Sequence, residues 1–152
     1  LSGLNAYTWK SAYMDIENTV SFLLAKISVA HRNLTENAAK AAGLHSGQAF
    51  VLVELWKEDG QRQIDLALKL GLSPPTVNKI LGGLLENDFA TRERYEDDAR
   101  STRIFLTRKG REVRADLEEQ WKLLEERTLG GLTETEAILL HQLLSKLLVD
   151  LI

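Results

Sequence analysis

The chain has no cysteine, two prolines and a single methionine in 152 residues. Without a thiol it forms no disulfide, no cysteine-ligated zinc site and no iron–sulfur cluster, and thiol-based redox sensing is excluded. Apolar residues make up 44% of the chain, but no run of them approaches the roughly 20 residues that cross a bilayer as a helix. The N-terminal stretch lacks a basic segment followed by an apolar one, so a secretory leader is not expected. Charge of one sign is missing as well: a net charge of −3 supplies no global basic field for nucleic acid or anionic lipid. There is no Walker-type glycine loop, dinucleotide fingerprint, His-Glu-x-x-His pair or nucleophile elbow. Gly82-Gly83 and Gly130-Gly131 are too short to cradle a phosphate. His31, His45 and His141 stand apart, without the spacing of a metal site. Neither an enzyme nor a bound cofactor nor a metal is expected; what remains is a cytoplasmic globular binding protein.

What is present is helical periodicity. Trp9, Tyr13, Ile16, Val20, Leu23, Ile27, Ala30 and Leu34 step by four and three, the heptad seam of a helix that packs along another helix. A partner chain and a long intramolecular core helix both satisfy that pattern. The segment runs to Ala42 and stops at Gly43, a C-terminal cap. A second helix is expected over Gln48–Lys57, with Ala49, Val51, Leu52, Leu55 and Trp56 inward, and a turn at Asp59-Gly60. A third, Gln61–Leu70, ends at Gly71. Ser73 caps a fourth, Pro74–Glu86, since serine accepts from a first-turn amide and proline there forfeits no intrahelical bond.

After Asn87-Asp88 the period shortens to two. Phe89–Arg94 and Ser101–Leu106 read as strands around the polar tip Tyr95–Arg100, a β-hairpin. Thr107 opens a long helix to about Arg127, Gly130-Gly131 breaks it, and Thr133 with Glu136 forms a capping box for a last, leucine-rich helix. The class is mainly α: a winged helix-turn-helix with a two-stranded wing, and a helical dimerisation region made by the N- and C-terminal helices. Within one intertwined domain, residues 1–44 form the N-terminal dimerisation segment, 45–110 the winged helix-turn-helix and 111–152 the C-terminal dimerisation helices.

Two short helices joined through Gly71-Leu72-Ser73 make a helix-turn-helix. The second presents Ser73, Pro74, Thr76, Asn78 and Lys79, whose hydroxyl, amide and ammonium groups suit phosphate oxygens and base edges. Residues 92–114 hold eight Arg/Lys against five Asp/Glu, so a chain acidic overall is basic along its wing. Arg94 and Arg103 on the strands are expected on the DNA side; Arg92, Arg108 and Lys109 are as readily ordinary solvated residues. Tyr95 in the tip stacks locally or approaches a sugar.

The stretch from Gln61 to Gly110 resembles the MarR (multiple antibiotic resistance regulator) family of winged-helix transcription factors. The resemblance rests on Ile64-Asp65-Leu66-Ala67, on Leu70-Gly71-Leu72-Ser73-Pro74-Pro75-Thr76-Val77, on Asp98-Ala99-Arg100-Ser101, and on Leu106-Thr107-Arg108-Lys109-Gly110. Upstream, Phe22-Leu23-Leu24 and Gly43-Leu44 through Gln48 fit the family's first helix and the start of its second. It implies a homodimer with interlocked terminal helices that reads a pseudo-palindromic operator in double-stranded DNA and acts as a repressor. By the same likeness Pro74–Lys79 enters the major groove, Arg100 reaches the minor groove and Asp98 braces the wing. It also implies release by a small effector, of aromatic or phenolic type, held where the dimer helices meet the winged helix. His31, Phe22, Trp56 and Trp121 are available there, but no ligand-binding residue is assigned.

Two features depart from the family's pattern. Gly82-Gly83 stand in the middle of the recognition helix where relatives often carry charge, and Asp88 stands where many turn on a glycine. Lys79 is that helix's only basic residue. The alternative readings are therefore a winged helix kept as a protein-interaction module, and a small-ligand- or metal-binding helical protein without DNA readout.

Overall fold

The computed structural model describes residues 15–94 and 102–151. The first long helix does not run unbroken through the heptad seam. Ile16–Asn18 form one 3-10 turn, and α1 (Val20–Ala41) starts only after Thr19, whose extended backbone ends the turn. Asn18 bonds the Asp15 carboxylate at 2.5 Å, and the Thr19 hydroxyl donates to the Ile16 carbonyl and accepts from the Phe22 amide. Short polar side chains that bond nearby backbone compete with the helix and set its start. Trp9 and Tyr13 lie outside the described residues. At the other end Gly43 takes φ +76°, the Leu44 amide bonds the Ala39 carbonyl and the Gly43 amide that of Lys40. This is the paired closure that a left-handed residue allows.

The winged-helix body follows. Helix α2 (Ser46–Lys57), strand β1 (Gln61–Arg62), α3 (Gln63–Leu70), α4 (Pro74–Glu86), β2 (Ala90–Arg94) and β3 (Thr102–Leu106) precede α5 (Arg108–Leu129) and α6 (Glu134–Leu151). The wing is a three-stranded antiparallel sheet in the order β1-β3-β2, not a bare hairpin. Gln61–Arg62, expected as the first turn of the third helix, pair with Ile104 and Arg103. The cause is the side chain of Gln61: its amide donates to the Glu54 and Glu58 carbonyls at the end of α2, and its oxygen accepts from Lys69. Anchored there, the chain lies extended against β3 before it can coil.

One hydrophobic core joins these elements. Leu52 and Leu55 of α2, Leu66 of α3, Val77, Leu81 and Leu84 of α4 and Ile104 of β3 are fully buried. The same cluster extends to Ala39 of α1 and to Val113 and Leu117 of α5. The two ends of the chain behave otherwise. Val20, Leu23 and Ile27 on α1 are exposed, and α6 buries none of its residues, leaving Leu143, Leu144, Leu147 and Leu148 in contact with solvent. The capping box expected at the start of α6 is present: the Thr133 amide bonds Glu136 Oε2 at 2.8 Å and the Glu136 amide bonds Thr133 Oγ1 at 3.3 Å.

Helix α4 leaves on Asp88, the one non-glycine residue at positive φ (+60°) among the described residues. The Phe89 amide then bonds the Leu84 carbonyl, and the Phe89 carbonyl accepts from the Thr107 amide at 3.1 Å. Gly110 of α5 packs directly on that carbonyl, in a space where a Cβ would overlap the oxygen. The left-handed conformation costs an L-residue about 1–2 kcal/mol, so Asp88→Gly should raise the unfolding free energy by about 1 kcal/mol. Gly110→Ala should lower it by about 2 kcal/mol or more, because backbone, not a flexible side chain, must move. Urea denaturation of both variants reads the two signs.

Candidate nucleic-acid interface

The exposed surface of α4 begins at a well-made N-terminus. Ser73 has extended backbone, its Oγ lies 3.4 Å from the Thr76 amide and 2.8 Å from the Thr76 hydroxyl, and Pro74 and Pro75 fill the first turn. Gly71, at φ +62°, closes α3 so that α4 leaves at a new angle. Val77, Leu81 and Leu84 fix one face of α4 in the core, which turns Ser73, Pro74, Thr76, Asn78 and Lys79 to solvent. These five sequence-derived positions therefore form one continuous exposed surface. Three already have partners: Ser73 caps its helix, the Thr76 hydroxyl is bonded to that of Ser73, and Asn78 Oδ1 accepts from Gln63 Nε2 at 2.8 Å. Gln63 was not anticipated; only its place at the start of the preceding helix could have suggested it.

The strands sort the arginines. Arg92 and Arg94 are exposed on β2, opposite Ile104 and Thr102. Arg103 lies between Glu93 and Arg62 in the sheet register, and its guanidinium donates to the Gly60 carbonyl at 2.8 Å. Asp65, bonded by Arg62 at 2.7 and 2.8 Å, is held below the usual carboxylate range chiefly by that guanidinium, with Lys69 and Arg103 adding to the pull. Arg103 thus has a structural position, facing the start of α3. Lys109 is likewise occupied: its ammonium donates to the Asn87 carbonyl at 2.8 Å and sits 4.4 Å from the centre of the Phe89 ring. Arg108 pairs with Glu112 on the surface of α5. Tyr95, Asp98 and Arg100 lie outside the described residues.

Behind α4 stands the N-terminus of α2, fixed by a carboxylate from α1. Glu36 accepts from His45 Nδ1 at 2.8 Å and from the Ser46 amide at 3.0 Å. The His45 bond first, then those from Ser46, lower its pKa from the ordinary 4.5 to about 2.

A second feature lies on the other side of α2, where α2 and α5 diverge around a cleft of about 640 Å³. Trp56, Trp121, Arg114, Glu118 and Lys122 are among its walls. Trp56 is oriented by an indole hydrogen bond to the Gly110 carbonyl at 2.9 Å, with Arg114 5.7 Å from its ring, and Trp121 meets Phe50 edge-on at 5.9 Å. Of the four residues considered for an effector pocket, Trp56 and Trp121 line this cleft and His31 and Phe22 do not. His31 instead bridges Thr35 and Thr128, tying α1 to α5. No cluster of three or more His, Asp or Glu residues is placed to hold a metal among the described residues. No helix among them is long and apolar enough to cross a membrane.

Known proteins share both the sequence and this geometry. Residues 44–102 match the profile of the MarR family. An uncharacterized HTH-type transcriptional regulator of Staphylococcus aureus (strain MRSA252) is 31% identical over 80 residues, which cover 53% of this chain and 55% of that protein. The chain thus spans about half the length of the curated relatives it matches. The solved transcriptional regulator PA3341 is 30% identical and superposes with a TM-score of 0.72 over 88% of this chain and 98% of its own. The chain belongs to the MarR family. CouR from Rhodococcus jostii, solved bound to p-coumaroyl-CoA, shares the MarR fold at 22% identity and a TM-score of 0.74, over 89% of this chain and 95% of its own. These relatives are named as regulators or share the regulators' fold; none is described as an enzyme.

The Glu36 contact makes a pH-dependent contribution whose sign is fixed. Its carboxyl titrates lower when folded than when unfolded, so the stabilisation is complete above about pH 4.5 and is lost as the pH falls towards 2. Glu36→Gln should therefore flatten the acid limb of the stability curve within that window. Denaturation midpoints collected across that range measure it.

Proposed function

We propose that this MarR-family protein is a transcriptional repressor that binds a pseudo-palindromic operator in double-stranded DNA as a cytoplasmic homodimer. The observation that carries the reading is the exposed N-terminal half of α4, presented on a rigid core beside a basic wing. Thr76, Asn78 and Lys79 meet the major groove, with Ser73 and Pro74 against the backbone at the entry of the helix. Arg94 and Arg100 extend the contact along the wing, Arg100 into the minor groove, where a narrow groove concentrates negative potential. Asp98 braces the tip. Arg103 adds positive field from its place against Gly60.

The dimer is supported by the apolar residues that the single chain leaves in water on α1 and α6. Apolar residues exposed in number along a helix mark an interface. The heptad steps of α1 from Val20 onward point out of the chain, which favours a partner over an intramolecular core. An aromatic or phenolic effector fits the cleft between α2 and α5, where two indoles offer flat apolar walls and Arg114 offers a charge for an acidic substituent. The coumaroyl thioester held by CouR is a ligand of that kind.

Salt titration of DNA binding tests the first part. Lys79→Ala should weaken operator and scrambled DNA alike, and lower the salt slope by roughly one ion, if Lys79 meets phosphate; loss confined to the operator means it reads a base. Arg100→Ala should cost about 1–3 kcal/mol on the operator and reduce the preference for A·T-rich flanks. Unchanged affinity of both variants on both DNAs would place the interaction-module reading first. For the second part, sedimentation should give a dimer at micromolar concentration, and Leu147→Asp should shift it towards monomer; a folded wild-type monomer there would refute the dimer.

A further inference from the structure

The exposed polar groups at the start of α4 differ in what holds them. Ser73 and Thr76 bond each other within the first turn, whereas Asn78 is bonded from another helix. Gln63 Nε2 donates to Asn78 Oδ1 at 2.8 Å, across 15 residues of chain. The local sequence explains the meeting. Gln63 opens α3 and lies three and four residues before the buried Leu66 and Ala67, so it leans towards the packed face of its helix. Asn78 follows the buried Val77 and stands at the edge of the exposed face of α4. Gln63 is half-buried and Asn78 exposed, so the tether is the inner member of the pair.

A free asparagine amide turns easily about its last torsion and offers oxygen or nitrogen to either side. The bond from Gln63 removes that choice. Oδ1 is turned to α3, and Nδ2, with its two hydrogens, has no acceptor among the described residues. What Asn78 keeps for a partner is therefore its donating end. In the major groove guanine presents two neighbouring acceptors, N7 and O6. Adenine sets a donor beside its acceptor, thymine has one acceptor and a methyl group, and cytosine has only a donor. Adenine, the usual partner of an unconstrained asparagine, needs the amide oxygen as well as the nitrogen at the base edge. Two hydrogens on one nitrogen suit guanine.

We infer that Gln63 is a positioning residue that sets Asn78 to donate, so that Asn78 reads guanine at one base pair of each operator half-site. The base-reading step rests on the proposed role of α4 as the DNA-contacting helix; the amide pair does not. Gln63 need not touch DNA. It selects the Asn78 conformation before DNA arrives, which lowers the cost of ordering that side chain on binding. No charge is involved, so the effect falls on discrimination and not on salt dependence. Gln63→Glu keeps the length of the side chain but can only accept. Asn78 must then turn Nδ2 inward and Oδ1 outward, where an exocyclic amino group of adenine or cytosine fits it.

Two readouts test this, one of them without DNA. In a nitrogen–proton correlation spectrum the side-chain amide signals of Gln63 are assigned by their loss in Gln63→Glu, and those of Asn78 by their loss in Asn78→Ala. Asn78→Ala should shift the Gln63 signals, and Gln63→Glu should move those of Asn78 downfield as they turn to a carboxylate. No shift in either variant overturns the pair. An acidic residue in the first turn favours a helix, so Gln63→Glu should fold. For the second readout, duplexes selected by wild type from a random pool are substituted one base pair at a time. Gln63→Ala and Asn78→Ala should each lower discrimination at the same base pair by about tenfold, and the double variant no further. The salt slope should stay as in wild type. Gln63→Glu should move the preference at that pair from guanine to adenine or cytosine. A loss spread evenly over all positions makes Gln63 a support of the fold alone, and a preference that Gln63→Glu leaves unchanged means the amides face the other way; either overturns the proposal. A wild type that selects no sequence refutes the repressor reading and the base-reading step with it, while the spectra still decide the amide pair.

Discussion

The carbonyl of Phe89 is the point on which the molecule is assembled. It accepts the Thr107 amide, and Gly110 packs on it without a side chain between. Thr107 returns a hydroxyl to the Asp88 carbonyl at 2.6 Å while accepting the Gly110 amide at 3.0 Å, so one side chain caps α5 and fastens it to the end of α4. Trp56 completes the joint from α2 through its bond to the Gly110 carbonyl. Helix α4, the wing and the long α5 therefore meet within a few residues. A side chain at position 110 would separate them, which gives the Leu-Thr-x-Lys-Gly sequence a mechanical meaning: threonine caps, lysine spans the turn to the Asn87 carbonyl, and glycine permits contact.

Charge on α4 is as sparse in space as in sequence. Association with DNA that depends on phosphate neutralisation gains from every added cation, and this helix supplies one. The wing and the neighbouring start of α5 hold the rest, but much of that charge is engaged internally: Arg103 on Gly60, Lys109 on Asn87, Arg111 on Asp59 at 2.7 Å and Arg108 on Glu112. A count of basic residues along residues 92–114 therefore overstates what remains for a polyanion. Arg92 and Arg94 are the strand arginines set most openly to solvent.

Helix existence, order and caps were legible because each rests on local chemistry. Ser73, Thr107 and Thr133 cap where a hydroxyl precedes apolar periodicity, and Gly43 and Gly71 end helices where φ must turn positive. What escaped was set by distant partners. Gln61–Arg62 looks helical by pattern, and the strand forms because Gln61 is tethered to the end of α2. The break at Thr19 escaped because apolar spacing continues across it while Asp15, Asn18 and Thr19 redirect the backbone. At the interface, exposure of Thr76, Asn78 and Lys79 followed from the burial of Val77 and Leu81 at helical spacing. The roles of Arg103 and Lys109 did not follow, since alternation along a strand shows which face a side chain takes but not which carbonyl it finds. Gly82-Gly83 read in sequence as a weakness of the helix; only the position of Gln48, whose amide nitrogen lies 2.6 Å from where a Cβ at Gly83 would stand, shows what the second glycine makes room for.

Helix α5 makes these local facts global. Its first turn is fixed at the Phe89 joint, its middle lines the Trp56–Trp121 cleft through Arg114 and Trp121, and Thr128 near its far end bonds His31 of α1. Its 22 residues span about 33 Å at 1.5 Å per residue. A rotation of about 5° at one end moves the other by about 3 Å over that length. A ligand between α2 and α5 need not touch α4 to matter. It needs only to favour one packing angle of α5 over another, and the effect it can have is bounded by that difference in affinity. Close packing makes such angles discrete instead of graded, so a helix fastened at both ends and lined by a cleft at its centre is suited to carry a switch between the apolar ends of the chain and α4.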